Sequence, residues 1–401
     1  MRTADHLAGN WIGAIGLAEH LLNSIDRKAG PDQRGRRPVR RMVRRVAAAT
    51  AALLAVTGAA SFPALAAPQP VKPVWRIVKQ VHNGPFGGFS TVIAVGKNGG
   101  WAFNKGSTPT AWRRSGSNPS TWTQVPFPGR SDEVVVAAGA TSPSDVWAFT
   151  AGGAQSRALR WNGHAWTVQR SFAQQIGGAV VISPGDVWVF GQPFVPGAGL
   201  GAWHYNGRTW SRAASGHGLE GGSALSANNI WAFDGSDVAH WNGSTWSRTS
   251  VSYLLPAKQL LNNPMITGIF AQSSHSVYAI ANGDLQDEGG PMVILHWDGY
   301  RWSKVAQGNY GFGVQPVQQI SADGDGGLWL PMPGVGGQKS YLLHYGAGHL
   351  TQAVLPGGPN LITVDTVAVI PGTYSALAGG ETHAYANPGA NVTAVLLQYE
   401  I

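Results

Sequence analysis

Three features of the sequence predict an all-β fold built by radial repetition. A strand signal centred on tryptophan recurs at Trp101, Trp147, Trp188 and Trp231, spaced 46, 41 and 43 residues apart, which is the length of a four-stranded propeller blade. After these strands come hairpin signals in which Asn-Gly or Asp-Gly is flanked by aromatic residues, a pair whose tolerance of positive φ favours a tight turn. Charged residues make up only 12% of the chain, beside 55 Gly, 25 Pro and 17 Trp. That mix suits short strands and turns, and the periodic tryptophans supply a core that disordered segments lack. The predicted fold is a seven-bladed β-propeller, with six blades and a loose terminal hairpin as the alternative.

The stretch from Asp145 to Val168 shows the unit. Val146 to Phe149 are strand formers behind a Ser142-Pro143-Ser144-Asp145 turn, where a short Asp side chain caps the chain locally. A second strand runs from Ala158 to Trp161, Asn162-Gly163 turns the chain, and a third strand starts near Trp166. Trp161 and Trp166 are expected to face each other across the hairpin. The strand signal returns at Gly99, Asp186, Asn229, Ser276 and Gly327; the hairpin signal returns at His204, His240, His296 and, degraded, His344, with a looser version over Arg113 to Trp122. The strand tryptophans, Trp329 included, and the hairpin residues Trp161, Trp166, Trp241, Trp246, Trp297 and Trp302 are therefore assigned to packing between blades.

The ends of the chain supply the ring closure. Residues from Thr363 to Ile401 provide three strand signals and stop where an outer strand should follow, whereas 73–81 (PVWRIVKQV) precedes every other blade strand. Pairing 73–81 with the C-terminal blade would close the ring and remove an open edge. The propeller is thus expected over 73–401, behind a short linker at 67–72.

Upstream, 42–66 has a basic start, an apolar centre and an Ala64-Leu65-Ala66 cleavage signal, the pattern of a secretory signal peptide. Residues 1–41 read as an N-terminal extension or a mis-assigned start, with translation beginning at Met42. The alternative is an uncleaved helix tethering an outward-facing domain to a membrane, although the uncharged run of 15 residues from Val46 to Ala60 is short of the roughly 20 a span requires. The expected location is extracellular. Six of the eight net positive charges lie within residues 1–66, so the propeller is nearly neutral and a nucleic-acid partner is not indicated. No cysteine is present, and the fold must rely on its core and closure in place of disulfides.

These motifs resemble the tryptophan-repeat β-propellers of secreted actinobacterial proteins, and more distantly the kelch and Asp-box propellers. The resemblance covers 73–401 and implies the fold, while propellers host many unrelated activities. A copper site like that of galactose oxidase needs a cysteine crosslinked to tyrosine, which this chain lacks. The nearest match to a sialidase Asp-box, at 321–329, has the wrong spacing.

Arg113, Arg160, His204, His240, His296, His344 and Gln398 occupy one position on successive blades. They invite a metal reading, but equivalent residues of the third strands stand about 10 Å or more apart, far beyond zinc-ligand distances of about 2 Å. They are expected to hydrogen-bond the neighbouring blade. There is no nucleophile elbow and no HExxH motif, and Gly197 to Gly201 lacks the lysine of a phosphate cradle. No cofactor and no metal are expected, and Asp284, Asp287 and Glu288 are read as a solvated acidic loop in preference to a calcium site.

Insertions place the expected binding surface. In a meander, second-to-third-strand loops and blade-to-blade links share one face, and the long segments Gln192 to Leu200, Ser250 to Pro264, Ala281 to Pro291 and Gln307 to Val314 all fall there. Variable loops on a rigid scaffold commonly carry binding. The candidate ligand-binding residues are Phe86, Phe89, Phe194, Tyr253, Tyr310 and Phe312, with Asp284, Asp287 and Glu288 beside them. The expected function is a monomeric, secreted, non-catalytic module binding an extracellular glycan or protein. The alternatives are a polysaccharide hydrolase or lyase using two carboxylates of this face, and a membrane-anchored structural protein of the envelope.

Overall fold

A computed structural model of the chain describes residues 73–82, 87–153, 155–191, 200–213, 218–256, 264–282, 290–311, 319–332, 340–357, 362–382 and 392–400. Among them the strands form seven four-stranded antiparallel sheets. The chain is a seven-bladed β-propeller. Blades 1 to 6 cover 89–125, 134–172, 176–212, 221–250, 265–311 and 321–352, each running from an inner to an outer strand in chain order. Blade 7 is composite: Ile362–Val369, Ala376–Thr382 and Thr393–Glu400 supply three strands, and Val74–His82 pairs antiparallel with the last of them as the outer strand. The inner strands surround a central channel of about 490 Å³ whose lining carries no charged side chain.

One contact recurs around the ring. The aromatic residue of each second strand packs into the hairpin of the next blade: Trp101 lies 5.1 Å from both Trp161 and Trp166, and Trp147 lies 5.4 Å from Tyr205 and 6.0 Å from Trp210. Trp188 meets Trp241 and Trp246 at 5.3 and 5.9 Å, and Trp231 meets Trp297 and Trp302 at 5.8 and 6.0 Å. Tyr278 then reaches Tyr345 at 6.0 Å, and Trp329 touches Tyr399 and Trp75 at 5.0 and 5.2 Å. All these separations fall within the range of favourable aromatic pairs. At the seam between blades 7 and 1 the second-strand residue is Leu377, which shares a buried cluster with Trp122. Within the hairpins Trp161 and Trp166 are register partners with ring centroids 6.0 Å apart.

One local feature is refined and one expectation corrected. The Asn-Gly turns are four-residue connections, 162–165 in blade 2, between the register partners Trp161 and Trp166. Asn162 Oδ1 accepts the N–H groups of His164 and Ala165, and Gly163 alone takes positive φ, at 97°. Asn206, Asn242 and Asp298 repeat this arrangement. A short polar side chain bridging to backbone two and three residues on replaces the second left-handed residue. The degraded hairpin of blade 6 is the one that makes the two-residue turn, with Ala347 and Gly348 at φ 50° and 80°.

In blades 2 to 6 the polar residue of the third strand bonds its own blade, not its neighbour, whereas Gln398 of blade 7 accepts from Arg114 of the neighbouring blade 1 as expected. Arg160 Nε donates to Asp145 Oδ1 at 2.6 Å; His204 Nε2 lies 2.8 Å from Asp186 Oδ1 and His240 Nε2 3.1 Å from Asn229 Oδ1. His296 and His344 make the same link to Ser276 and Asp323. The reason is register: each of these residues sits directly opposite the second-strand aromatic residue, so its side chain lies over that ring and its polar tip reaches the start of the same strand.

Trp75 on the closing strand is buried against Trp329. Trp75→Ala is expected to lower unfolding free energy by about 3–5 kcal/mol, read as a shifted midpoint in urea denaturation. An unshifted midpoint would show that the ring does not depend on this contact.

Candidate binding face

Antiparallel order sends second-to-third-strand connections and blade-to-blade links to one end of every blade. On that face connections run from 2 to 14 residues, while on the opposite face none exceeds 6. Every long insertion therefore leaves from a single face, above a ring of rigid inner strands.

The described part of the longest link shows how that face presents an aromatic side chain. Ser252–Leu254 forms a 3₁₀ turn after the outer strand of blade 4. It is fastened from below: Val251 is fully buried and donates its N–H to Ser236 O at 3.0 Å, and Leu254 and Leu255 pack on the core of blades 4 and 5. Between these anchors Tyr253 projects with 72% of its surface exposed. A ring held on a fixed turn loses little conformational entropy when a ligand stacks on it.

A carboxylate pair lies at the same blade. Glu220 immediately precedes the inner strand Gly221–Ser226, at the channel rim, and its N–H donates to Phe233 O at 3.0 Å. Asp234 ends the second strand and accepts a 2.5 Å hydrogen bond from Arg248 Nη1. Glu220 Oε2 is buried and has no hydrogen-bond partner among the described residues. Burial first, and the nearby Asp234 carboxylate second, push the Glu220 carboxyl up to about 7. Its counterpart before the inner strand of blade 2, Glu133, is instead held by a buried ion pair with Arg157, whose Nε donates to Oε1 at 2.6 Å.

The residues expected from sequence divide three ways. Tyr253 is on the face and exposed. Phe86, Phe194, Phe312, Asp284, Asp287 and Glu288 lie outside the described residues. Phe89 is corrected in its exposure and Tyr310 in its place, on a strand and not in a link. Phe89 belongs to the inner strand Phe89–Val95 and is fully buried, because its Cβ and carbonyl pack on Gly379 of blade 7. Tyr310 belongs to the outer strand Trp302–Gly311, which runs on through the predicted link; its ring packs edge-on against Tyr341 at 5.2 Å and is partly buried against blade 6. Glu220, Asp234 and Arg248 were not singled out. The available signal was positional: Glu133, Gln175 and Glu220 each precede an inner strand, a repeat obscured by the absence of any motif around it.

Among the described residues no group of three or more His, Asp or Glu side chains is placed to hold a metal ion. The channel offers no charged group, and at its rim Gln319 staples three blades together. Its Nε2 donates to Ser90 O at 3.1 Å and Thr91 Oγ1 at 3.0 Å, while its Oε1 accepts from Thr366.

No family model and no curated protein matches the chain. Solved structures do. YCF48 bound to a D1 peptide is 14% identical with a TM-score of 0.50, covering 82% of this chain and 97% of that one. The RRP9 WD40 repeats are 12% identical with a TM-score of 0.53, covering 81% and 98%. A GH74 xyloglucanase from Xanthomonas campestris is 13% identical with a TM-score of 0.50, covering 80% and 53%. At these identities the likeness shows the fold alone.

The raised Glu220 pKa carries a pH dependence. The folded state holds this proton more tightly than the unfolded chain, so the contribution to stability is complete below the ordinary carboxylate range and is lost as pH rises through about 7. Glu220→Gln is expected to remove that loss, raising stability at pH 8 by on the order of 1 kcal/mol after allowance for solvent screening, with little change at pH 4. Thermal unfolding at the two pH values checks this. An equal effect at both would refute it.

Proposed function

We propose that this protein is a non-catalytic, extracellular binding propeller that engages a glycan or protein segment through its insertion face. The observation that carries the reading is that every connection longer than six residues leaves from one face, where Tyr253 is anchored below and exposed above. A near-neutral surface, an aromatic platform and adjacent carboxylates suit sugar stacking or an aromatic anchor contact. Export through cleavage after Ala66 belongs to the same proposal. The peptide named with YCF48 is an example of what a propeller of this shape holds.

The test measures retention of the full chain on immobilised cell-wall and plant polysaccharides and on an extracellular protein extract, alongside released sugar. Tyr253→Ala is expected to weaken retention about tenfold, a loss in keeping with an interface anchor. Undiminished retention would remove Tyr253 from the site, and absence of retention on every matrix would refute the proposal.

A second reading is favoured by one observation: burial and the nearby Asp234 carboxylate push the Glu220 carboxyl up to about 7, the kind of raised carboxylic acid beside a second carboxylate that glycoside hydrolysis uses. Released sugar that disappears in Glu220→Gln would establish it over binding alone.

A further inference from the structure

The seven third-strand residues opposite the second-strand Trp, Tyr or Leu form a series in which one member is incomplete. Arg160, His204, His240, His296 and His344 each find an oxygen in their own blade, at 2.6 to 3.1 Å. Gln398 in blade 7 accepts a 2.8 Å hydrogen bond from Arg114 Nη1. Arg113 in blade 1 stands opposite Trp101 in the same register, yet among the described residues its side chain makes no ion pair and donates no hydrogen bond.

The missing acceptor has a steric cause. The position filled by Asp145 in blade 2 is Gly99 in blade 1, and a Cβ there would lie 2.5 Å from Val95 O. Blade 6 also has a glycine there, Gly327, but Asp323 from the preceding turn reaches His344 instead. The corresponding turn of blade 1 is Gly96-Lys97-Asn98 and contains no carboxylate. It adds positive charge.

The guanidinium is nevertheless held in place. Its Cζ lies 5.8 Å from the centroid of Trp101 and 5.7 Å from that of Trp161, so tryptophans of two blades flank it. Cation–π contacts use the faces of a guanidinium, whereas its N–H donors lie in its plane. The donors remain available. Arg160 shows what such a group accepts here: it lies over Trp147 at 5.2 Å while Nε donates to an aspartate oxygen.

We propose that Arg113 anchors a carboxylate-binding subsite on the short-turn face, at the junction of blades 1 and 2. Its ligand is an aspartyl or glutamyl side chain of a partner protein, seated on Arg113 as Asp145 is seated on Arg160. The internal pair favours a peptide carboxylate, because that is the group whose reach and planarity already fit this arrangement of strand and ring. The subsite lies on the face opposite the insertions and does not rest on the function proposed above.

The experiment is modification of arginine in the full chain by phenylglyoxal, with the modified residues located by mass spectrometry. Arg113 is expected to react faster than the ion-paired Arg160 and Arg157, and N-acetylaspartyl amide is expected to slow its reaction about threefold or more at saturation, with N-acetylasparaginyl amide inert. In direct titration with an aspartate-containing peptide, Arg113→Met is expected to weaken binding about tenfold or more, whereas Arg208→Met, in an exposed turn of blade 3, leaves it unchanged. Equal reaction rates at Arg113 and Arg160, no protection, or equal protection by the asparaginyl compound would overturn the subsite. Protection by galacturonate that exceeds that of the aspartyl compound would overturn the protein partner in favour of an acidic glycan.

Discussion

The insertion of each second-strand aromatic ring into the hairpin of the following blade is the contact that the rest of this propeller depends on. A single four-stranded blade cannot bury its own faces, so its stability comes from neighbours. Here six of the seven interfaces are built from two or three large rings in tilted or edge-to-face contact, and each such pair contributes about 0.5–1.5 kcal/mol beyond the area it buries. The arrangement is directional: blade n always enters blade n+1. Several indole N–H groups in these interfaces, among them those of Trp147, Trp166 and Trp210, are buried with no oxygen partner among the described residues. They lie among aromatic rings, which act as weak acceptors.

A directional repeat needs a terminus that satisfies itself, and the seam between blades 7 and 1 meets that need with different chemistry. Leu377 replaces the inserting tryptophan, and Arg114 replaces the first hairpin tryptophan, standing opposite Trp122 in the register that pairs Trp161 with Trp166. Arg114 is buried, yet it bonds Gln398 of blade 7 and the carbonyl of Lys97. On the other face Lys105 of blade 1 bridges Asp365 and Glu381 of blade 7, at 2.6 and 3.7 Å. Polar links with defined partners thus mark the interface between blades 7 and 1, while the two ends of the propeller chain pair within blade 7, Val74–His82 against Thr393–Glu400. Hydrogen-bonded charges specify a partner more narrowly than apolar packing does.

Strand order also separates the two ends of the molecule by function. The short-turn face is held by Asx turns and by the in-blade polar links over the tryptophans, so it varies little from blade to blade. Its departures, such as Gly99 opposite Ser115, stand out against that regularity. The insertion face has no such repeat, and its charges are arranged locally: Arg157 neutralises Glu133, while Glu220 shares its surroundings with Asp234 and has an oxygen without a partner among the described residues.

The architecture was legible in the linear chain because it is written by spacing. Tryptophans recurring at blade period, hairpin signals after them and a lone strand at 73–81 determine the number of blades, the assignment of rings to interfaces and the face from which insertions leave. Position along a strand does not determine where a side chain ends, and that is where the tertiary structure decided matters. Phe89 and Tyr310 are aromatic residues near loop boundaries, indistinguishable in sequence from Tyr253, yet neighbouring blades bury the first, half-cover the second and leave the third in solvent. In blades 2 to 6 the third-strand polar residues bond within their blade because register sets them over their own second-strand ring. Glu220 has no motif around it, and only its burial beside Asp234, fixed by strands that are distant in sequence until the blade folds, gives its carboxyl an unusual affinity for a proton.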